Sequence, residues 1–224
     1  MQGEIDDLRD KATAAGYEYH LYDLSMLLAE IQDENLKESL RRAKRYLPKS
    51  MFGSMLSDFF RYWCLQDGGV YMDTDVLITT DTFPALPDAD GVFTCSEQTA
   101  RNNLNTCVTV CNGDKGRIYA RFFTELATDR LKKTWLDSFE QCRANAAWLI
   151  EHRWSLISYI GPAFVRHYLP HLFGATGVTV QRMPYELCSS HDPRSAIFHF
   201  GDGSWCNGGK GNDKAQRKTG IFGK

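Results

Sequence analysis

Asp73 and Asp75 are the residues whose type and spacing point most directly to chemistry. They stand one residue apart, after the β-prone run Val70-Tyr71-Met72 and before a second apolar run, Val76-Leu77-Ile78. Gly68 and Gly69 end the preceding helical pattern and help to set up a tight turn, so both acids fall at a strand end. Two carboxylates presented in this way offer the oxygen ligands that a hard cation such as Mg²⁺ or Mn²⁺ takes. A cation held there can bridge two linked phosphates and stabilise the charge that builds on a departing diphosphate. The triplet alone more often marks a pair of solvated turn acids, so its surroundings decide.

The elements that must position these acids can be read from periodicity. Residues up to about Ala15 form a charged helical pattern ending at Gly16, and Tyr17 to Tyr22 alternates like a strand. Leu24 to Tyr46 reads as one or two helices stopped by Pro48. Met51, Met55, Phe59, Tyr62, Trp63 and Leu65 then recur at helical spacing, which predicts a helix capped by Ser50 and running toward Asp67. Downstream, Gly91–Cys95, Asn105–Val110, Val178–Arg182 and Ala196–Phe200 read as strands. Arg117–Arg130 and Pro162–Phe173 read as helices, the second with proline in its first turn. Strands alternating with helices predict an α/β layered fold, in which ligands collect at the carboxyl ends of strands. Residues 1–205 are expected to form one domain and residues 206–224, rich in Gly and Lys, a flexible tail.

Other residues have two readings each. Asp58 and Arg61, three apart, share a helix face and suit either an ion pair or recognition of a charged ligand. Trp205 lies among Gly203, Gly208 and Gly209, a segment able to move as a lid or simply to pack down a loose tail. His199, in an apolar strand, suits a hydrogen-bonded core position unless the Gly-Ser-Trp that follows gives it a role. His167 and His171 are four apart, but no glutamate accompanies them and Pro170 disturbs that turn, so a structural reading is preferred. Phe122, Phe123 and Trp135 are expected in the core. Arg41-Arg42-Ala43-Lys44-Arg45 is read as a solvated helix face, with contact to a phosphate or an acidic lipid surface as its lesser alternative.

Composition sets the outer limits. Of the 224 residues, 43% are hydrophobic and 24% charged, the balance of a globular chain able to bury a sizeable core. A formal net charge of −2 with evenly scattered Lys and Arg argues against nucleic acid as a partner. Seven cysteines without a CxxC pair leave at least one thiol unpaired in any disulfide scheme, and a reducing, cytoplasmic setting is expected. The charged start and the interruption of AAWLIEHRWSLISYIG by Glu151, His152 and Arg153 predict neither a signal peptide nor a transmembrane segment. Membrane contact would then be peripheral.

The string SDFFRYWCLQDGGVYMDTDV, from Ser57 to Val76, resembles the DXD region of one glycosyltransferase group. It comprises initiating α-1,6-mannosyltransferases, capsular-polysaccharide sugar transferases and clostridial glucosylating toxins, the glycosyltransferase family 32-like enzymes. His199-Phe200-Gly201-Asp202-Gly203-Ser204-Trp205 is similar to the C-terminal His…Gly-Ser-Trp signature of that group. Asn105 and Gly161-Pro162 fall where the group carries an Asn and a Gly-Pro.

The resemblance implies a GT-A-type nucleotide-diphospho-sugar transferase fold and a retaining hexosyltransferase. It further implies Mn²⁺ or Mg²⁺, a UDP- or GDP-sugar donor, and a glycan, lipid or protein acceptor. By position it assigns Asp75 as principal metal ligand and Asp73 to the donor ribose or sugar. Asp58 and Arg61 would bind the donor's sugar and phosphate, Ser204 and Trp205 would close over the diphosphate, and His199 would be a metal or phosphate ligand.

Members of this group usually begin with a Pro-Lys-Ile-Ile-His type of strand and a nearby Trp-Gly. Here the first family segment is YEYHLYD, so an N-terminally truncated form, with an open strand edge or groove, is expected. Two alternatives stand beside the transferase. One is a non-catalytic sugar-nucleotide or glycan-binding remnant. The other is a haloacid-dehalogenase-like phosphatase using the first Asp of Asp73-Thr74-Asp75-Val76-Leu77 as nucleophile, for which seventy preceding residues and the lack of a clear lysine and second acidic pair are poor fits.

Overall fold

The computed structural model describes residues 2–95, 104–152, 155–189, 192–199 and 219–223. In chain order the elements are α1 (Gln2–Ala14), β1 (Glu18–Tyr22), α2 (Leu24–Glu30), α3 (Glu34–Tyr46), α4 (Lys49–Trp63), β2 (Gly69–Met72), β3 (Val76–Ile78), β4 (Gly91–Cys95) and β5 (Asn105–Asn112). There follow α5 (Gly113–Trp135), α6 (Phe139–Glu151), α7 (Ser155–Tyr159), α8 (Pro162–Thr176), β6 (Val180–Arg182), β7 (Cys188–Ser189), β8 (Ile197–His199) and β9 (Thr219–Gly223).

The strands form a six-stranded sheet in the order β1-β9-β2-β5-β4-β6 and a three-stranded sheet in the order β3-β8-β7. Pairing is antiparallel except for β4 with β6 and β7 with β8. The architecture is therefore mixed α/β, consistent with a GT-A-like arrangement. Among the described residues no helix is long and apolar enough to cross a membrane.

Residues alternate across β2 as strand geometry requires. Tyr71 joins the larger core, with Phe59, Phe60, Tyr62, Phe123, Trp135 and Phe164 from the helices. Val70 and Met72 join a second core with Ala12, Val76, Phe83, Phe93 and Ile197. Both faces of the central strand are thus covered, and it can hold the residues that follow it in place.

Several local readings are refined. Leu24–Tyr46 resolves into two helices, because Asp33 caps the second through the Leu36 N–H at 3.0 Å, just as Asp23 caps the first through Met26. Ser50 does not cap α4: that place falls to Pro48, with no side-chain cap bond, and Ser50 sits inside the first turn. A proline immediately before the helix presets φ, and this outweighs the hydroxyl as a start signal. Cys142, Ala146 and Leu149 of α6, a helix absent from the sequence reading, are buried.

Two differences are larger. Thr219–Gly223, within the stretch expected to be a flexible tail, pairs with β1 at five positions and with β2 at three. Apolar Ile221 and Phe222 suit a strand once two neighbours satisfy its backbone. In addition, Cys95 of β4 and Cys188 of β7 are joined by a disulfide.

Candidate functional site

Asp73 follows directly on the carboxyl end of β2. Gly68 and Gly69 have φ of 94° and 114°, the left-handed region that glycine adopts without cost, and this permits the reversal from α4 into the strand. Antiparallel pairing continues one step beyond β2: the Asp73 N–H donates to the Cys107 carbonyl at 2.7 Å. The Val76 N–H then donates to the Asp73 carbonyl at 3.2 Å, so Thr74 and Asp75 are carried round a tight turn into β3.

The Asp73 carboxylate is held from three sides. Its Oδ1 accepts from Tyr71 Oη at 2.7 Å, from Arg61 Nη2 at 3.1 Å and from Ser57 Oγ at 3.1 Å. Tyr71 lies two residues before Asp73, on the same strand face. Ser57 and Arg61 lie four apart on α4 and therefore share a helix face. Arg61 Nη1 also donates to Asp58 Oδ1 at 2.7 Å and to Thr106 Oγ1, and the guanidinium stacks 5.1 Å from the centre of the Tyr71 ring. The Arg61 side chain is 4% exposed and that of Asp58 11%, so this is an interior ion network and not the surface pair that spacing alone allowed.

Burial pushes the Asp58 carboxyl up to about 6, with the Asp73 charge acting in the same direction and Arg61 opposing. Arg61 stays charged: burial works against it, but Asp73 and Asp58 outweigh burial and raise it well above its ordinary value. Burial, and then the Asp73 charge, keep Tyr71 protonated and able to donate.

The third acidic-site partner comes from the second sheet. Val76 pairs with His199 in the β3–β8 register, which sets the imidazole beside the residue preceding Val76. His199 Nε2 lies 3.2 Å from Asp75 Oδ1. Ligand atoms of Asp73, Asp75 and His199 all fall within 4.8 Å of one another. Burial lowers the pKa of His199, but Cys107 and Asp75 outweigh burial and raise it to about 11. A proton thus sits among the carboxylates where a cation would otherwise balance them. Two carboxylate oxygens and one imidazole nitrogen form a donor set that suits Mn²⁺ and related divalent ions, so these residues fit such a metal.

Of the expected site residues, the structure brings together Asp58, Arg61, Asp73, Asp75 and His199. Asn105 opens β5, and its side chain lies outside the described residues, as do Ser204 and Trp205. His167 and His171 are exposed on α8 with ring centres 6.4 Å apart, while Phe123 and Trp135 are core residues as expected. Sequence reasoning assigned no role to Ser57, Tyr71, Thr106 and Cys107. For the first two a signal was available: Ser57 shares the face of Arg61, and Tyr71 shares the face of Asp73. For Thr106 and Cys107 there was none, because β5 reaches the site only through sheet pairing.

Comparison with known proteins adds one match. Residues 11–93 match the family described as "Glycosyltransferase sugar-binding region containing DXD motif". The match includes Asp58, Arg61, Asp73 and Asp75, and it supports a DXD glycosyltransferase family and a glycosyltransferase-like function. No curated protein and no solved structure matches the chain.

Proposed function

We propose that this chain is a metal-dependent glycosyltransferase that moves a hexose from a UDP- or GDP-sugar to a glycan, lipid or protein acceptor with retention of configuration. The observation that carries the reading is the convergence of Asp73, Asp75 and His199 within 4.8 Å at the end of β2, inside and beside the matched DXD region. A divalent cation bound there supplies Lewis-acid stabilisation of the leaving diphosphate.

The chain's own residues do the rest. Asp75, which leads into β3, and His199 on the neighbouring β8 face each other and would hold the cation from the side of the three-stranded sheet. Asp73 is oriented by Tyr71, Ser57 and Arg61: Oδ1 accepts from all three and Oδ2 from Arg61 alone at 3.3 Å, so Oδ2 is the less committed oxygen and the one that would turn to the metal or to the donor's ribose or sugar. Asp58 and Arg61 line the donor side and keep that region's charge near balance. Asn105, Ser204 and Trp205 complete the donor site in this reading, the last two over the diphosphate. Among the described residues no further carboxylate joins this cluster, which favours front-face transfer through an oxocarbenium-like state over a covalent intermediate.

The test is thermal unfolding of the chain with Mn²⁺ and a panel of nucleoside diphosphates and sugar nucleotides, followed by donor turnover with candidate acceptors. A ligand bound by the folded state alone raises the melting temperature by mass action. A metal-dependent shift with one donor, lost in Asp75→Ala, is expected. A shift without hydrolysis or transfer would favour the non-catalytic binding reading, and unchanged turnover in Asp75→Ala would sink the metal assignment.

A further inference from the structure

The basic run of α3 divides into two kinds of cation. Arg42 is structural: it pairs with Glu38 at 2.8 Å and donates to the carbonyls of Trp135 at 3.3 Å and Asp137 at 2.9 Å, closing the end of α5. Arg41, Lys44 and Arg45 are exposed, and so is Lys49, which opens α4. Among the described residues Lys44, Arg45 and Lys49 form no ion pair. Arg41 reaches only to 4.0 Å from Glu38, whose carboxylate Arg42 already holds. Exposed cations elsewhere commonly have an acid close by, as Arg9 has Asp6 at 3.1 Å, Lys115 has Asp90 at 3.8 Å and Arg194 has Asp192 at 2.8 Å.

Helix stability explains part of this pattern. Lys44 and Arg45 lie in the last turn of α3, where the negative end of the helix favours a cation. Lys49 lies in the first turn of α4, where the positive end disfavours one, and no acid in that turn offsets it. Arg41 and Arg45 stand about 6 Å apart along the helix axis, and no partner is shared among the four, so they do not converge on one small anion. Leu36, Ser39, Leu40 and Ala43 bury the opposite face of α3 in the protein, which leaves its basic face for an electrostatic contact without insertion.

We propose that Arg41, Lys44, Arg45 and Lys49 form a docking face for an acidic phospholipid surface. Dispersed cations on an exposed helix suit a fluid bilayer, whose acidic headgroups can gather beneath them. A long soluble polyanion fits less well. The whole chain carries a formal net charge of −2, so the surface outside these four cations is net negative and repels a polymer that extends past them. A bilayer meets this one face. The inference stands apart from the metal centre and does not depend on it.

The experiment is co-sedimentation of the full chain with phosphatidylcholine vesicles, either pure or containing about one third phosphatidylserine. Wild type should bind the acidic vesicles and not the neutral ones, and should be released on going from about 0.1 M to about 0.5 M salt. Each cation near such a surface is worth about fivefold in affinity, so the triple variant Lys44→Gln, Arg45→Gln, Lys49→Gln should bind about a hundredfold more weakly. The triple variant Arg9→Gln, Lys115→Gln, Arg121→Gln makes the same change in net charge on other elements and should bind like wild type; thermal unfolding checks that both variants are folded. Equal loss in the two variants would overturn the proposal, because total charge and not this face would then govern binding. Wild type that binds neutral vesicles as well as acidic ones, or neither, would also overturn it, as would retention on heparin without vesicle binding, which would assign the face to a soluble polyanion.

Discussion

Arg61 sets one positive charge between Asp58 and Asp73 where little water reaches, and this explains why a short segment of α4 matters to an acid on β2. Removing one member of a buried ion network leaves its partners uncompensated, at a cost of about 3–5 kcal/mol. Arg61→Met should therefore lower stability in urea by that amount, and adding Asp58→Asn to it should restore part. A loss close to zero would show that solvent already screens the network. His199 gives a pH signature. Its ordinary value is 6.5 and its value in the folded metal-free chain about 11. Its contribution to stability is thus fully present below 6.5 and lost as pH rises through about 11. Binding a cation must displace that proton, so Mn²⁺ affinity should rise about tenfold per pH unit below that value, with one proton released. Titrations in buffers of different ionisation enthalpy measure this release, and none at neutral pH would contradict a protonated His199.

At the scale of elements, the site joins two sheets. Asp73 belongs to the six-stranded sheet through β2, and His199 to the three-stranded sheet through β8. The Cys95–Cys188 bond ties β4 of the first to β7 of the second, and Cys188 pairs with Ile197 two residues before His199. A bridge closing a long loop typically contributes about 2–4 kcal/mol. Reduction, or the Cys95→Ser and Cys188→Ser double variant, should lower the melting temperature and also weaken Mn²⁺ binding, because the strand carrying His199 loses its tether. If oxidised and reduced protein melt alike and bind Mn²⁺ alike, the bond does not hold the two sheets in register.

For the molecule as a whole, the decisive strand is β9. It lies between β1 and β2 and bonds to both, so the chain's C-terminal segment closes the sheet beside the strand that ends at Asp73. A chain ending at residue 218 would expose the facing edges of β1 and β2, and unpaired edges template association. Such a chain should be less stable in urea and should run as larger species in size-exclusion chromatography. Unaltered unfolding and a monomeric profile would mean that β1 and β2 do not depend on β9.

What was legible in the sequence is what neighbouring residues settle among themselves. The Gly68-Gly69 turn, the run Val70-Tyr71-Met72 and the two acids after it form one local pattern, and strand alternation and helix spacing suffice to place Asp73, Asp58 and Arg61. Even Gly91–Cys95 could be bounded correctly, because a short apolar run between turn signals has few other options. Composition misled where context reversed it: Ile221 and Phe222 are two apolar residues in a Gly- and Lys-rich stretch, and only the backbones of β1 and β2 on either side make them a strand. Likewise the motif could name His199, but its approach to Asp75 depends on the pairing of Val76 with His199, and the approach of Cys107 depends on β5 lying beside β2. Sheet register, a relation between segments far apart in the chain, decided which of the chain's histidines and cysteines meet the acids, because no local spacing encodes it.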